Sequence, residues 1–398
     1  MLFQCRADYE HVVGGSEIQI TKTAEHLHEL GVGVEILPQQ KDLSAWDIVH
    51  VFRSARPFET ALLCLNAAAQ DKPLAVSTIY WNDSELSAYR QSLLGRADAD
   101  RAVSAMVASL EASREATRGE LTVAYSAAGM LLPNSQAEAD RLVADFALDP
   151  DRISVVRNAT EFPQPEPARQ EFKRRFGVDQ FVLCVARIED RKNQLTLIEA
   201  MQGVDIPLVL IGPTTFQQYF RLCKRAARRG VRFMGALGRE QVACAYAAAK
   251  VHALPSWFET PGLASLEAAL SGCNIVTTDR GGTREYFADM AWYCDPGDVQ
   301  SVRSAIEQAL AAPRNPRLRA HVASNFTWEN TAKQTLAAYE WLLAQPRTSQ
   351  GAAAKDLFIL LEAAYGRIQA LENLKIFKVY QRLAGTRHYE IYERLLGR

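Results

Sequence analysis

Short apolar runs recur along this chain, separated by longer stretches in which apolar residues return every three or four positions. The runs fall at 2–7, 32–37, 47–52, 74–80, 130–133 and 153–156, and again at 181–186, 208–212, 231–234, 251–254, 274–278 and 291–294. Most are continuous rather than alternating, and rich in Val, Ile and Leu, as strands covered on both faces are. Their alternation with helical segments predicts βαβ units and an α/β fold of doubly wound parallel sheets. Two sets of runs predict two domains, at 1–160 and 161–343. The join is marked by Pro163, Pro165 and Pro167, which exclude a helix interior and predict a linker at 160–168. A ligand cleft is expected between the domains, at the carboxyl ends of both sheets.

A helical stretch from 328 to 343 is expected to pack back on the first domain. Beyond it, 344–398 reads as a small-residue linker and then a helical extension. In that extension Lys375, Lys378, Arg382, Arg387, Arg394 and Arg398 interleave with Leu371, Leu374, Phe377, Leu383, Ile391 and Leu395. Such a segment, 356–398, packs on the protein or a second copy, or lies on an anionic membrane surface. Packing is the commoner arrangement.

Composition narrows the class. The 398 residues exceed one ordinary core, and 48% hydrophobic with 23% charged residues is ordinary for a soluble globular protein. A formal net charge of −1 provides no basic field for nucleic acid. No apolar run approaches the roughly 18 residues of a spanning helix. The start, Met1-Leu-Phe-Gln-Cys-Arg, reads as a strand rather than a leader. Seven scattered cysteines without a Cys-x-x-Cys pair read as buried, reduced thiols, so a cytoplasmic protein is expected.

Four constellations carry candidate chemistry. Gly14 and Gly15 precede a helix start, where free N–H groups suit a phosphate; alone, the pair reads more readily as a plain turn. Arg187 ends the first strand of the second domain, and Lys192 enters the next helix. Two fixed cations there can neutralise a diphosphate without a metal. Arg191 beside them reads as a solvated charge. Glu259 follows the strand at 251–254, Pro261 suits a first helical position, and Gly262, Leu263 and Ala264 form a helix start able to hold phosphate oxygens. Glu267 lies within that helix among apolar neighbours, and such a carboxylate wants a partner, for which vicinal ribose hydroxyls qualify. Asp279-Arg-Gly-Gly-Thr-Arg-Glu285 is a further glycine pair at a strand end. Asp98-Ala-Asp100 has a metal-motif spacing but sits in a helix-patterned stretch, 96–115, where a solvated face is the commoner meaning. Asp149-Pro-Asp151 reads as a turn. His50 and His252 read as core histidines, and His11 as a cleft residue.

The Glu259-x7-Glu267 spacing, the Arg187…Lys192-Asn193 loop, Gly14-Gly15, Gly281-Gly282…Glu285, Leu132-Pro-Asn-Ser-Gln-Ala-Glu138 and Val155-Val-Arg-Asn158 together resemble the family-4 glycosyltransferases of GT-B fold. The similarity covers roughly 1–345. It implies two Rossmann-like domains facing a cleft and transfer of a hexosyl group, with retention, from a UDP-, GDP- or ADP-sugar to a saccharide or lipid-linked acceptor. By the same resemblance Arg187, Lys192 and Gly15 would meet the donor diphosphate and Glu267 the ribose. Glu259 would meet the transferred sugar, and Gly282 and Thr283 would line its pocket. The family often carries a histidine after the fourth strand; here Ser77-Thr-Ile-Tyr-Trp-Asn-Asp83 stands there, making Tyr80 to Asp83 the acceptor-side candidates. No metal and no nucleic acid are expected. The extension implies peripheral contact with the inner membrane face, or self-association. A nucleotide-sugar epimerase of similar fold and a scaffold working through the terminal helix are the competing readings.

Overall fold

The structure, a computed structural model, describes residues 1–6, 9, 14–52, 56–96, 100–161, 168–177, 180–346 and 353–363. Five parallel strands form the first sheet: β1 (Leu2–Gln4), β2 (Glu35–Ile36), β3 (Val49–Phe52), β4 (Leu74–Ser77) and β5 (Met130–Leu132), in the order β2-β1-β3-β4-β5. Six parallel strands form the second: β6 (Val182–Val185), β7 (Leu208–Ile211), β8 (Val231–Phe233), β9 (Val251–Leu254), β10 (Asn274–Thr278) and β11 (Trp292–Cys294), ordered β11-β10-β9-β6-β7-β8. The α/β, doubly wound architecture expected from the runs is therefore present. The run at 153–156 is the exception. It pairs with the β5 side through an isolated bridge, Ile153 to Leu131, and through Ser154 N to Leu131 O and Val156 N to Pro133 O, both at 2.9 Å.

Each sheet reverses its winding once, β1/β3 in the first and β6/β9 in the second, and ligands of such sheets bind beyond the carboxyl ends at that reversal. In the second sheet the reversal is reinforced by His252, whose Nε2 accepts from Val185 N at 3.2 Å. Burial holds its imidazole down to about 3, so it stays neutral.

Apolar layers cover both faces of the second sheet. The first sheet is covered partly by helix Trp328–Ala344, from the far end of the chain. Its Ala332, Ala338, Tyr339 and Leu342 share a core with Phe3, Ile20 and Phe52, and Tyr339 Oη sits 2.5 Å from Nδ1 of buried His50. Helix 353–363 then lays Ala354, Phe358 and Leu361 against Leu65 and Ala68. It leaves Leu357, Ile359 and Leu360 exposed. The basic stretch at 364–398, the prolines of the linker, His11 and Asp98 lie outside the described residues.

An arm of the first domain crosses to the second. Helix Ser84–Leu94 and the start of helix Arg101–Ala127 bury Leu93, Val103, Met106 and Val107 in one cluster with Val182, Cys184, Ile188 and Leu222. Fully burying side chains of this size stabilises by about 1.5–3 kcal/mol each, so the arm is a firm bridge rather than a grazing contact. Asp100 is not on a helix face, contrary to the sequence pattern. It is the N-cap of Arg101–Ala127 and accepts from Ala102 N and Val103 N at 3.0 Å, which the surrounding alanines disguise. Asp149 likewise caps a short turn through Asp151 N.

Candidate functional site

Between the sheets lies a cleft of about 1000 Å³ whose walls come from both domains. Arg187, Lys192, Glu259, Gly262, Leu263 and Ala264 line it from the second domain, and Gly14 and Gly15 from the first. Arg187 follows β6 and Glu259 follows β9, the two strands of the switch point, which is why residues 72 positions apart face one space.

The loop after β6 is locked by Asn193. Its backbone takes φ 59, and its Nδ2 donates to Pro255 O at 3.0 Å and Pro296 O at 2.8 Å. That pins the Lys192 loop to the loop after β9. Trp257 N donates to Arg191 O at 2.9 Å and closes the same seam. Lys192 Nζ then meets Glu259 Oε1 at 2.5 Å, with Arg191 Nη1 3.8 Å from the same oxygen. Arg191 is not a solvated charge: it bonds Glu189 at 3.3 Å and Phe258 O at 3.2 Å, and stacks over the Phe258 ring. Glu189, which the sequence reading passed over, also takes Arg187 at 3.4 Å. Its only sequence signal was its place between Arg187 and Lys192.

Three cations thus surround two buried carboxylates. Burial pushes the carboxyl of Glu259 up, but Lys192 and Arg191 outweigh it and leave it below its ordinary value. Glu189 is held below its ordinary value in the same way, by Arg191, Arg187 and Lys192 against burial. Burial and Arg191 lower the ammonium of Lys192, against Glu259 and Glu189. The cluster carries one positive charge uncompensated within itself, a fixed electrostatic well for an anion.

Gly262 has φ 73 and caps helix Leu263–Leu270, whose first N–H groups have no partner within the helix. Gly15 faces that same turn: a Cβ on it would lie 3.0 Å from Leu263 Cδ1, so glycine lets the two domains meet there. Glu267 is half-buried on the helix and accepts from Tyr246 Oη at 3.0 Å; burial raises its carboxyl to about 7.

Gly282 and Thr283 are not brought to the cleft wall. Gly281, at φ 92, lies so close to Glu259 that an added Cβ would stand 2.0 Å from its carbonyl oxygen. Gly282 N donates to that oxygen at 2.8 Å, and a Cβ on Gly282 would strike Thr260 O and Ser135. Thr283 is fully buried, with its hydroxyl on Thr278 O at 2.8 Å. Gly281 and Gly282 thus pack their backbone against the loop of Glu259.

On the opposite wall Tyr80, Trp81, Asn82 and Asp83 do line the cleft. Tyr80 Oη donates to Asp145 at 2.8 Å, Arg141 lies over Trp81, and Asp83 pairs with Arg114 at 2.7 Å. Asn158, at the end of the first domain, also lines it, buried and with Oδ1 unpartnered. Among the described residues no group of three His, Cys, Asp or Glu is placed to hold a metal ion, and no helix is long and apolar enough to cross a membrane.

Residues 168–326 match the family described as glycosyl transferases group 1. The O-antigen chain mannosyltransferase B of Escherichia coli is 30% identical over 175 residues, which is 41% of this chain and 46% of that protein. The D-inositol 3-phosphate glycosyltransferase of Mycobacteroides abscessus is 31% identical over 242 residues, 56% of this chain and 54% of that one. The chain therefore spans about half the length of the curated relatives it matches. Sucrose-phosphate synthase from Thermosynechococcus elongatus superposes with a TM-score of 0.68 at 18% identity, covering 86% of this chain and 99% of that one. Anabaena HepE in complex with UDP and glucose gives 0.61 at 17% identity, covering 85% and 99%. At such identities the structural likeness establishes the shared two-domain fold.

Proposed function

We propose that this chain, whose residues 168–326 match the glycosyl transferases group 1 family and whose whole has the GT-B fold, moves a hexosyl group, with retention, from a nucleoside-diphosphate sugar to a saccharide or lipid-linked acceptor. The observation that carries this reading is the cation cluster at the β6/β9 switch point, sharing one cleft with the N-terminal turn of helix Leu263–Leu270. Arg187 and Lys192 take the diphosphate, helped by the backbone of Gly262 to Ala264 and by Gly14 and Gly15 across the cleft. An ammonium has three donors, so Lys192 can serve Glu259 and a phosphate oxygen together. Glu267 grips the ribose and Glu259 the transferred sugar. Gly282 keeps the Glu259 loop in position through its backbone bond to Glu259 O.

The bond from the anomeric carbon to the diphosphate oxygen breaks as the acceptor oxygen arrives on the same face. The leaving diphosphate, held by the cations, takes the acceptor proton. No metal is needed in this scheme, so activity persists in a chelator and its abolition would refute that point. The name of the Escherichia coli relative favours a mannosyl donor. The chain is assigned to the cytoplasm, with 356–398 as its contact to the inner membrane face or to another copy.

A thermal-shift panel of UDP-, GDP- and ADP-sugars tests the reading. A ligand at about 100 times its Kd adds roughly 2.7 kcal/mol. One nucleotide class should raise the melting temperature, and no shift with any of them sinks the proposal.

A further inference from the structure

Asp190 is the first residue of the turn Asp190–Lys192 and is almost wholly buried. A carboxylate so placed requires a cation. Two stand next to it in sequence, Arg191 and Lys192, yet both are turned to Glu189 and Glu259. The partner of Asp190 comes instead from the other domain: Arg90 Nε, at 2.6 Å. The neighbouring residue, Tyr89, lays its ring on Trp257 with centroids 4.9 Å apart. Trp257 stands two residues before Glu259 and is bonded through its backbone to Arg191. One turn of helix Ser84–Leu94 therefore touches both loops that carry the cation cluster and Glu259.

The same helix begins at the acceptor-side wall. Asn82 Oδ1 accepts from Ser84 N at 3.0 Å, and Asp83 O accepts from Ser87 N at 2.8 Å. Leu93 anchors the other end in the core of the second domain.

Building on the donor-site reading, we propose that Arg90 and Tyr89 are positioning residues: Arg90 occupies Asp190 so that Arg191 and Lys192 stay aimed at the cleft, and helix Ser84–Leu94 sets the acceptor-side loop in register with the donor loops. Without Arg90, Asp190 competes for the adjacent cations and draws them off the diphosphate position. The chemistry at stake is recognition of a nucleoside diphosphate, and each charge-assisted hydrogen bond lost to it costs roughly tenfold to a hundredfold in affinity.

The test is the affinity of the full chain for UDP and GDP, by calorimetry. Arg90→Gln should weaken binding of the preferred nucleotide about tenfold or more. Arg90→Lys should restore most of it. Arg90→Gln combined with Asp190→Asn should also recover, because the competing carboxylate is gone. Arg96→Gln breaks a second cross-domain pair on the same arm, Arg96 to Glu199 at 2.9 Å, away from both loops. It should change affinity by no more than about twofold, since half-exposed pairs are worth little. Tyr89→Leu gives an independent probe of the Trp257 contact, and weaker binding is expected there too. Wild-type affinity in both Arg90→Gln and Tyr89→Leu overturns the proposal. So does a loss in Arg90→Gln that Asp190→Asn fails to relieve, which would mean that Arg90 meets the ligand itself. If the wild type binds neither UDP nor GDP but binds ADP, the same variants are compared with ADP. If it binds none of the three, the donor-site reading falls and this proposal with it.

Discussion

Lys192 Nζ stands 2.5 Å from Glu259 Oε1, joining the loop after β6 to the loop after β9. Two residues expected to serve different parts of one donor, the diphosphate and the sugar, are thus a buried ion pair before any ligand arrives. Removing one member of a buried pair typically costs about 3–5 kcal/mol, since the other is left uncompensated. Lys192→Ala should fall at the low end, because Arg191 remains 3.8 Å from Glu259. Denaturant unfolding measures the loss, and nucleotide binding should fall with it. Normal turnover in this variant would show that Lys192 does not hold the diphosphate.

Glu267 supplies a pH dependence. Its carboxyl is raised by burial to about 7 from an ordinary value of 4.5. The folded protein therefore holds a proton there that the unfolded chain has released. The stabilising contribution is complete below 4.5 and is lost as pH rises through 7. Glu267→Gln, which stays neutral, should be more stable than wild type at pH 8, by about 1–3 kcal/mol. The advantage should fade toward acid. Nucleotide affinity runs the other way, because gripping ribose hydroxyls favours the carboxylate. It should weaken below pH 7 in the wild type and be weak but flat in Glu267→Gln. Parallel pH profiles in the two proteins would remove Glu267 from the ribose.

Gly281→Ala tests whether the second glycine pair is architectural. Its φ of 92 and a Cβ 2.0 Å from Glu259 O leave no room for a side chain. Strain of this kind costs about 1–3 kcal/mol. The bridge between Glu259 and Gly281 must move, carrying Glu259 away from Lys192. A lower melting temperature together with weaker nucleotide binding is expected. A substitution without effect on either would show that the loop yields freely.

Glu285 joins the domains by an unusual cap. Its carboxylate, from the second domain, accepts from Gln136 N and Ala137 N at 2.8 Å, the first turn of a first-domain helix. Arg157 lies 3.4 Å away. Carboxylate caps are worth about 0.5–2 kcal/mol. Glu285→Ala should destabilise modestly and shift the domains toward separation, which small-angle scattering reads as a larger radius of gyration. An unchanged radius would mean that the remaining contacts between the domains, the arm formed by helix Ser84–Leu94 among them, suffice to hold them together.

Much of the fold could be read along the chain. Runs such as Val182–Val185 and Leu208–Ile211 are apolar throughout because parallel strands are covered on both faces, and eleven of the twelve runs are strands. The twelfth, at 153–156, shares the composition but meets β5 only through the Ile153–Leu131 bridge and the backbone bonds of Ser154 and Val156. Arg187, Lys192 and Glu259 were legible because strand ends point into the cleft of such sheets. Arg191 and Glu189 were not, since a charge beside a charge reads as solvent-facing until the loop after β9 closes over it.

Covalent order determined the strands, the helix starts after Gly14 and Gly262, and the placing of cations and glutamates at strand ends. These follow from local burial patterns and from backbone chemistry within a few residues. Only the tertiary structure decided who pairs with whom: Lys192 with Glu259, Asp190 with Arg90 across 100 positions, and Glu285 with the N–H groups of a helix in the other domain. It also packed Gly282 against the loop of Glu259 and buried Thr283. The reason is physical. A buried charge must find its partner in whatever surface folding brings against it.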